Sequence, residues 1–172
     1  MAKVFDAIDE KLRAWIERQH MFFVATAPSG EEGHVNVSPK GPIGSLRILD
    51  PLTVEFDDYI GSGAETGAHL RENGRICLMF CAFDGPPRIV RLHGRGVLLP
   101  SDEPVTAGVR GVIRVEIDRV ADACGFGVPL MEHLGERPQR DAWLARHDEE
   151  SLRAYMDRKN AASIDGLPAF AP

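Results

Sequence analysis

No apolar run in this 172-residue chain approaches the roughly 20 residues that a helix needs to cross a bilayer, so no membrane span is expected. The opening MAKVFDAIDEKLRAW also lacks the cationic start and apolar block of a signal peptide. Cysteine is scarce: three residues, an odd number, make a poor disulfide framework. Cys77 and Cys81 share one strand-like apolar run. Four extended residues span about 13 Å there, whereas a disulfide needs Cα atoms roughly 4.4–6.8 Å apart. That pair is expected to stay reduced, and the cytoplasm is the expected compartment. The six histidines are scattered and show no zinc-type spacing, so no metal is expected. Basic residues, 20 in all with only 4 lysines among them, are outnumbered by 26 acids. The net charge of -6 excludes a protein built to wrap nucleic acid, although local basic clusters can hold a small anion. No GxGxxG, GxxxxGK[ST] or HExxH run occurs, nor a Ser-His-Asp order or a visible pair of catalytic carboxylates. Catalysis by this chain would therefore belong to a bound cofactor.

The chain as a whole has the composition of a single globular domain, 44% hydrophobic and 27% charged. Phe5, Ile8, Leu12, Trp15 and Ile16 keep helical spacing and predict an amphipathic helix over 5–20. The period then changes. Strands are predicted at 21–27, 34–40, 45–49, 52–59, 75–83, 87–99 and 110–120, with PSGEEG and DGPP as turns. One short helix interrupts them in GSGAETGAHLRENG, where Ser62 and Glu65 have capping-box spacing and Gly74 can end the helix. After residue 120 come the irregular CGFGVPLMEHLGERP, two helices at 138–147 and 149–159, and an extended apolar tail. Strands without βαβ alternation point to a closed or partly closed antiparallel barrel over about 20–120, with a helical extension over about 121–172.

Four places have the residue types of a site. Asn36, Ser38 and Lys40 share one face of HVNVSPK, opposite Val35, Val37 and Pro39. Lys40 beside Ser-Pro and Gly41 suits an anion, although a solvent-facing strand would show the same alternation. Gly61-Ser62-Gly63 leads into a helix, whose free N–H groups also suit an anion, or simply cap. Arg88 lies on one side of a strand, and Arg91, His93 and Arg95 on the other, where they can face a ligand, a partner subunit or solvent. In Cys124–Pro129 a lone thiol and an aromatic sit among glycines whose backbone must approach something closely.

The wording of several of these runs, MFFVATA, GHVNVSPKG, LTVEFDDYIGSGAETGAHLRENGRICLMF and IVRLHGRGVLL, resembles the pyridoxamine 5'-phosphate oxidase-like FMN-binding split-barrel proteins. The likeness covers about residues 15–120 and is most specific from Tyr59 to Phe80. ADACGFGVPLMEHLGER and KNAASIDGLP resemble one subgroup of that family. The resemblance implies a mainly β (α+β) fold, a six-stranded antiparallel Greek-key split β-barrel with peripheral helices. It further implies a homodimer that holds two FMN molecules between its subunits. Asn36, Val37, Ser38 and Lys40 would then lie along the flavin, with Tyr59, Ser62 and Thr66 near the phosphate and Arg88 and Arg91 on a strand beside the site. The expected activity is an FMN-dependent oxidoreductase acting on a small organic molecule. A reductase using the deazaflavin F420, or a non-catalytic dimer that binds flavin or a tetrapyrrole, is the alternative. One departure matters. Where the family grips phosphate with an adjacent Arg-Lys pair, this chain has Glu65 and Thr66, and the tail has no match for the Arg and His that hold the oxidase's substrate. A carboxylate cannot replace a guanidinium at a phosphate, which argues against pyridoxamine phosphate oxidation itself.

Overall fold

A computed structural model describes residues 3–170. In chain order the elements are β1 (Lys3–Phe5), α1 (Glu10–Ile16), β2 (Phe22–Thr26), β3 (Asn36–Lys40), β4 (Leu46–Asp50), β5 (Thr53–Tyr59) and α2 (Glu65–Glu72). They continue as β6 (Arg75–Cys81), β7 (Ile89–Leu99), β8 (Val109–Ala123), α3 (Gln139–Leu144) and α4 (Glu149–Lys159). The first helix is shorter than its apolar spacing predicts. The Asp9 carboxylate accepts the Leu12 N–H at 2.7 Å and starts the helix there, which leaves Lys3–Phe5 free to pair with Val120–Asp122 of β8.

All strand pairs are antiparallel, in the order β3-β2-β6-β7-β8-β5-β4 with β1 beside β8. Eight strands therefore stand where six are expected, and the hydrogen-bonded ladder is open, with β3 and β4 at its ends. It nevertheless curls. Phe22 on β2 and Phe56 on β5 are four strands apart along the ladder, yet their rings meet edge to face at 5.4 Å, with Phe80 of β6 stacked on Phe22 at 5.7 Å. The inner rows of β2, β5, β6, β7 and β8 supply most of the core, and Leu12 and Ile16 of α1 belong to it. The architecture is α+β, split-barrel-like and partly closed. No helix among the described residues is long and apolar enough to cross a membrane.

The capping box predicted for α2 does not form. Ala64 holds the N-cap position without a side-chain hydrogen bond, and Ser62 is exposed. Glu65 instead accepts the Ile164 N–H at 3.4 Å. The tail makes this possible by folding back. Asn160 donates from Nδ2 to the Gly61 carbonyl at 2.8 Å, and Ala169 is buried against Ala64 and Ala68. Gly74 does end α2 as predicted, with φ at 71°.

Candidate functional site

The register of β2 with β3 decides which way the polar row faces. Phe22, Val24 and Thr26 pair with Lys40, Ser38 and Asn36, and directly paired residues share a face, so the polar row turns inward. Val35 and Val37 point outward and are exposed. This inverts the arrangement of a solvent-facing strand. Asn36 donates from Nδ2 to Oγ1 of Thr26 at 3.2 Å and to Oγ1 of Thr66 at 3.1 Å, and Ser38 donates its hydroxyl to the Asn36 carboxamide oxygen at 2.8 Å. Thr26 in turn meets Nδ1 of His69 at 2.9 Å. Asn36, Ser38 and Thr66, three of the residues singled out in the sequence, thus share one network that joins β3 to α2.

His69 is fully buried and its Nε2 has no hydrogen-bond partner among the described residues. Burial holds its pKa below the ordinary histidine value, against the pull of Asp165, Glu65 and Glu72. The sign follows from linkage. Above the unfolded pKa both states are neutral. Below it the unfolded chain takes up a proton that the folded one resists, so stability falls with pH. Chemical denaturation between pH 7 and pH 5 should show a loss that grows by at most about 1.4 kcal/mol per pH unit below pH 6.5, until the folded-state pKa is reached. His69→Gln should lose less over the same range. An equal loss in the variant would assign the pH dependence to other groups.

Lys40 lies at the end of the polar row, but its ammonium is not free: Nζ is 3.2 Å from Oδ1 of Asp58. Asp58 is fully buried and also receives Nε of Arg110 at 2.8 Å. Two cations on one carboxylate leave one net positive charge. Arg110 donates as well to the Gly63 carbonyl at 2.8 Å and lies under the Phe170 ring, 4.8 Å from its centroid. Neither Asp58 nor Arg110 stands out in the sequence, because both read as ordinary strand residues. A register shift reveals them. Asp58 pairs with Gly111 and Tyr59 with Val109, so Arg110 is the extra residue of a bulge and its side chain is re-aimed at Asp58.

Beside Lys40 opens a groove of about 470 Å³, a size usual for small-molecule sites. Met21, Pro39 and Lys40 line it together with His133, Arg137 and Arg140. Arg140 sits over the Tyr59 ring at 4.0 Å, which brings Tyr59 to the same region.

The remaining sequence candidates lie elsewhere. Ser62 is exposed, and the loop it belongs to is covered on one side by the tail. Arg88 pairs with Asp122 at 3.2 Å and lies 5.0 Å from the Trp15 ring centroid, in a separate groove of about 680 Å³ that Cys124 also lines. Arg91 is on the outer face of the sheet, paired in register with Met79 and Ala121. Gly125 makes the close approach its composition suggests, against the backbone of Arg88, whereas Gly127 has open space. No cluster of three or more metal-ligating side chains occurs among the described residues.

A family model described as pyridoxamine 5'-phosphate oxidase matches residues 8–124. The pyridoxamine 5'-phosphate oxidase family protein ustO of Aspergillus flavus is 37% identical over 192 aligned positions, which take in 96% of this chain and 77% of that protein. Among solved structures, HupZ of Group A Streptococcus aligns with a TM-score of 0.52 at 20% identity, over 66% of this chain and 91% of its own. An FMN-binding protein of Syntrophomonas wolfei aligns with a TM-score of 0.51 at 17% identity, over 66% and 84% respectively. These two structures speak for the fold. The family match, which spans α1 through the end of β8, together with the ustO likeness along nearly the whole chain, places this protein in the pyridoxamine 5'-phosphate oxidase family.

Proposed function

We propose that the chain is an FMN-dependent oxidoreductase acting as a homodimer, with the flavin along the inner face of β3. The observation that carries this reading is the inversion of that strand. Asn36, Ser38 and Lys40 are turned inward and fixed by neighbours, while Val35 and Val37 are left outside. Polar groups held in place on a rigid strand are what a flavin ring needs for orientation, and FMN would supply the hydride chemistry that no residue of this chain supplies. The FMN-binding relative from Syntrophomonas wolfei shares the fold.

The Ser62–Thr66 segment is poorly furnished for a phosphate. There Glu65 presents a carboxylate, the Thr66 hydroxyl accepts from Asn36, and the carbonyls of Gly61 and Gly63 are engaged by Asn160 and Arg110. The cations lie at the other end of β3, where Lys40, Arg137 and Arg140 border one groove. In this reading that groove receives the phosphate against Lys40, Arg137 and Arg140, and Ser38 and Asn36 orient the ring.

FMN titration followed by absorbance tests the proposal. The parent protein should bind FMN and turn yellow. Lys40→Ala should bind it about tenfold to a hundredfold more weakly, the effect of losing a charged hydrogen bond of roughly 1.5–3 kcal/mol. Glu65→Gln should bind FMN like the parent, since its amide oxygen can still accept the Ile164 N–H. Riboflavin, which has no phosphate, should respond little to either change. A colourless protein that takes up no added FMN refutes the proposal.

Homodimer formation has its own support in the outer sheet face. Register places Phe23 beside Met79 and Ala25 beside Cys77, with Val37 and Pro39 continuing the rows onto β3. A half-buried apolar sheet face is suited to a second copy, and lasting homodimers bury on the order of 2,000 Å² or more. Sedimentation at micromolar concentration is expected to show a dimer.

A further inference from the structure

The segment from Cys124 to Pro138 has no helix or strand, yet it is tied down along its length. Gly125 is packed on the Arg88 backbone, the Met131 N–H donates to the Phe83 carbonyl at 2.8 Å, and the His133 ring stacks on that of His20 at 3.8 Å. A segment held at three points should bury its large apolar side chains. This one turns them outward: Phe126 is 81% exposed, Leu130 80%, Met131 58% and Leu134 89%. Single exposed apolar residues are ordinary on a monomer, but four within nine positions form a patch that marks an interaction surface.

The complementary surface is on the same molecule. The outer face of β2 and β6 presents Phe23 and Met79, and Arg91 and Arg119 flank it on β7 and β8. Neither arginine makes an ion pair among the described residues. The segment carries Glu132, which is also without an ion pair among them, between its apolar side chains. Apolar groups around an acid on one element thus match apolar groups beside bare cations on another, and a two-fold axis satisfies both at once because each copy gives an arm and receives one.

We infer that residues 124–138 form an arm that lies across the outer sheet face of a second copy. Leu130, Met131 and Leu134 meet the partner's apolar strands, and Glu132 faces its arginines. This rests on the homodimer reading and adds what that reading leaves open, namely which element holds the dimer. It also links the dimer to the site. His133 and Arg137 of the arm line the Lys40 groove, as does Pro39, whose neighbour in register is Phe23. An arm seated on the partner would thus border the Lys40 groove of its own subunit.

Sedimentation equilibrium on the parent, on Leu130→Ser/Leu134→Ser and on Ile164→Ser decides the matter. Ile164 is a comparably exposed apolar residue on the C-terminal tail. All three substituted side chains are exposed, so folding should be preserved, with circular dichroism as the check. The expected result is a dimeric parent, an Ile164→Ser variant that dimerises equally well, and a double variant whose dissociation constant rises at least a hundredfold. A parent dimer matched in strength by the double variant overturns the arm and leaves the homodimer standing. Equal weakening by Ile164→Ser also overturns it, as a nonspecific effect. A monomeric parent overturns both readings together.

Discussion

Asp58→Ala is expected to cost about 3–5 kcal/mol of folding stability, the usual penalty for removing one partner of a buried charge network. The carboxylate is fully buried and has two cations on it, Lys40 at 3.2 Å and Arg110 at 2.8 Å, of which the Arg110 side chain is itself only 4% exposed. Alanine leaves both unpaired. Lys40 has a flexible stem and some solvent access and can swing out, but Arg110 is held by the Gly63 carbonyl and the Phe170 ring. For a chain of this size the loss corresponds to a midpoint lowered by roughly 6–20 °C. Adding Arg110→Met should restore part of it, because a thioether in that space needs no counter-charge, and residues that share one network do not add independently. A melting point unchanged by Asp58→Ala would mean that water reaches the cluster, and the electrostatic account of the Lys40 groove would fail with it.

Gly94→Ala should have an effect at least as large, by a different route. At His93 and Gly94 the pairing of β7 with β8 shifts register, so that Asp118 is passed over and Gly94 lies opposite Ile117. A Cβ on Gly94 would collide with the carbonyl oxygen of Glu116, with the rest of that peptide just behind it. The obstacle is backbone in the middle of the longest ladder of the sheet, so no side-chain rotation relieves it. Overpacking of a core side chain costs about 1–3 kcal/mol, and a clash with fixed backbone should exceed the upper end of that range. Insoluble expression, or a stability loss above about 3 kcal/mol by urea unfolding, is the expected result. Gly44→Ala is the control, since nothing lies within 4 Å of a Cβ there. A Gly94→Ala protein as stable as the control would show that β7 and β8 can slide at this point.

Most of the strands were legible because their signal is local. The continuous apolar runs Met21–Ala27 and Arg75–Phe83, each followed by turn residues, do not depend on what packs against them, and both form strands close to the predicted limits. The orientation of β3 was not legible in the same way. A period of two is symmetrical with respect to its faces, so Asn36, Ser38 and Lys40 looked the same whether they faced water or the interior until the pairing with Phe22 and Val24 fixed the choice. Ser62 and Glu65 misled for a related reason. Capping-box spacing is a local signal, but it lost to partners some hundred residues away, with the Ile164 N–H on Glu65 and the Asn160 amide on Gly61. Arg110 depended on a bulge that its own strand does not announce. The family likeness drew attention to β3 and α2, but could not show that Lys40, Arg137 and Arg140 of this chain border one groove.

The return of the tail to the Gly61 loop also sets an order of events during synthesis. Asn160 is made 99 residues after Gly61, and Ile164 is 99 residues after Glu65. At ribosomal speeds of about 5–20 residues per second, roughly 5–20 s separate the two ends of each contact. The whole sheet through β8 has been translated before the first of those tail residues exists. During that interval the Gly61 carbonyl and the Glu65 carboxylate have only water or a chaperone to bind, and Ala64 and Ala68 lack the cover that Ala169 later provides. A nascent chain stalled shortly after β8 should therefore be open to proteases at the Gly61–Glu65 loop, and the same loop should become resistant once residues 160–170 have left the exit tunnel.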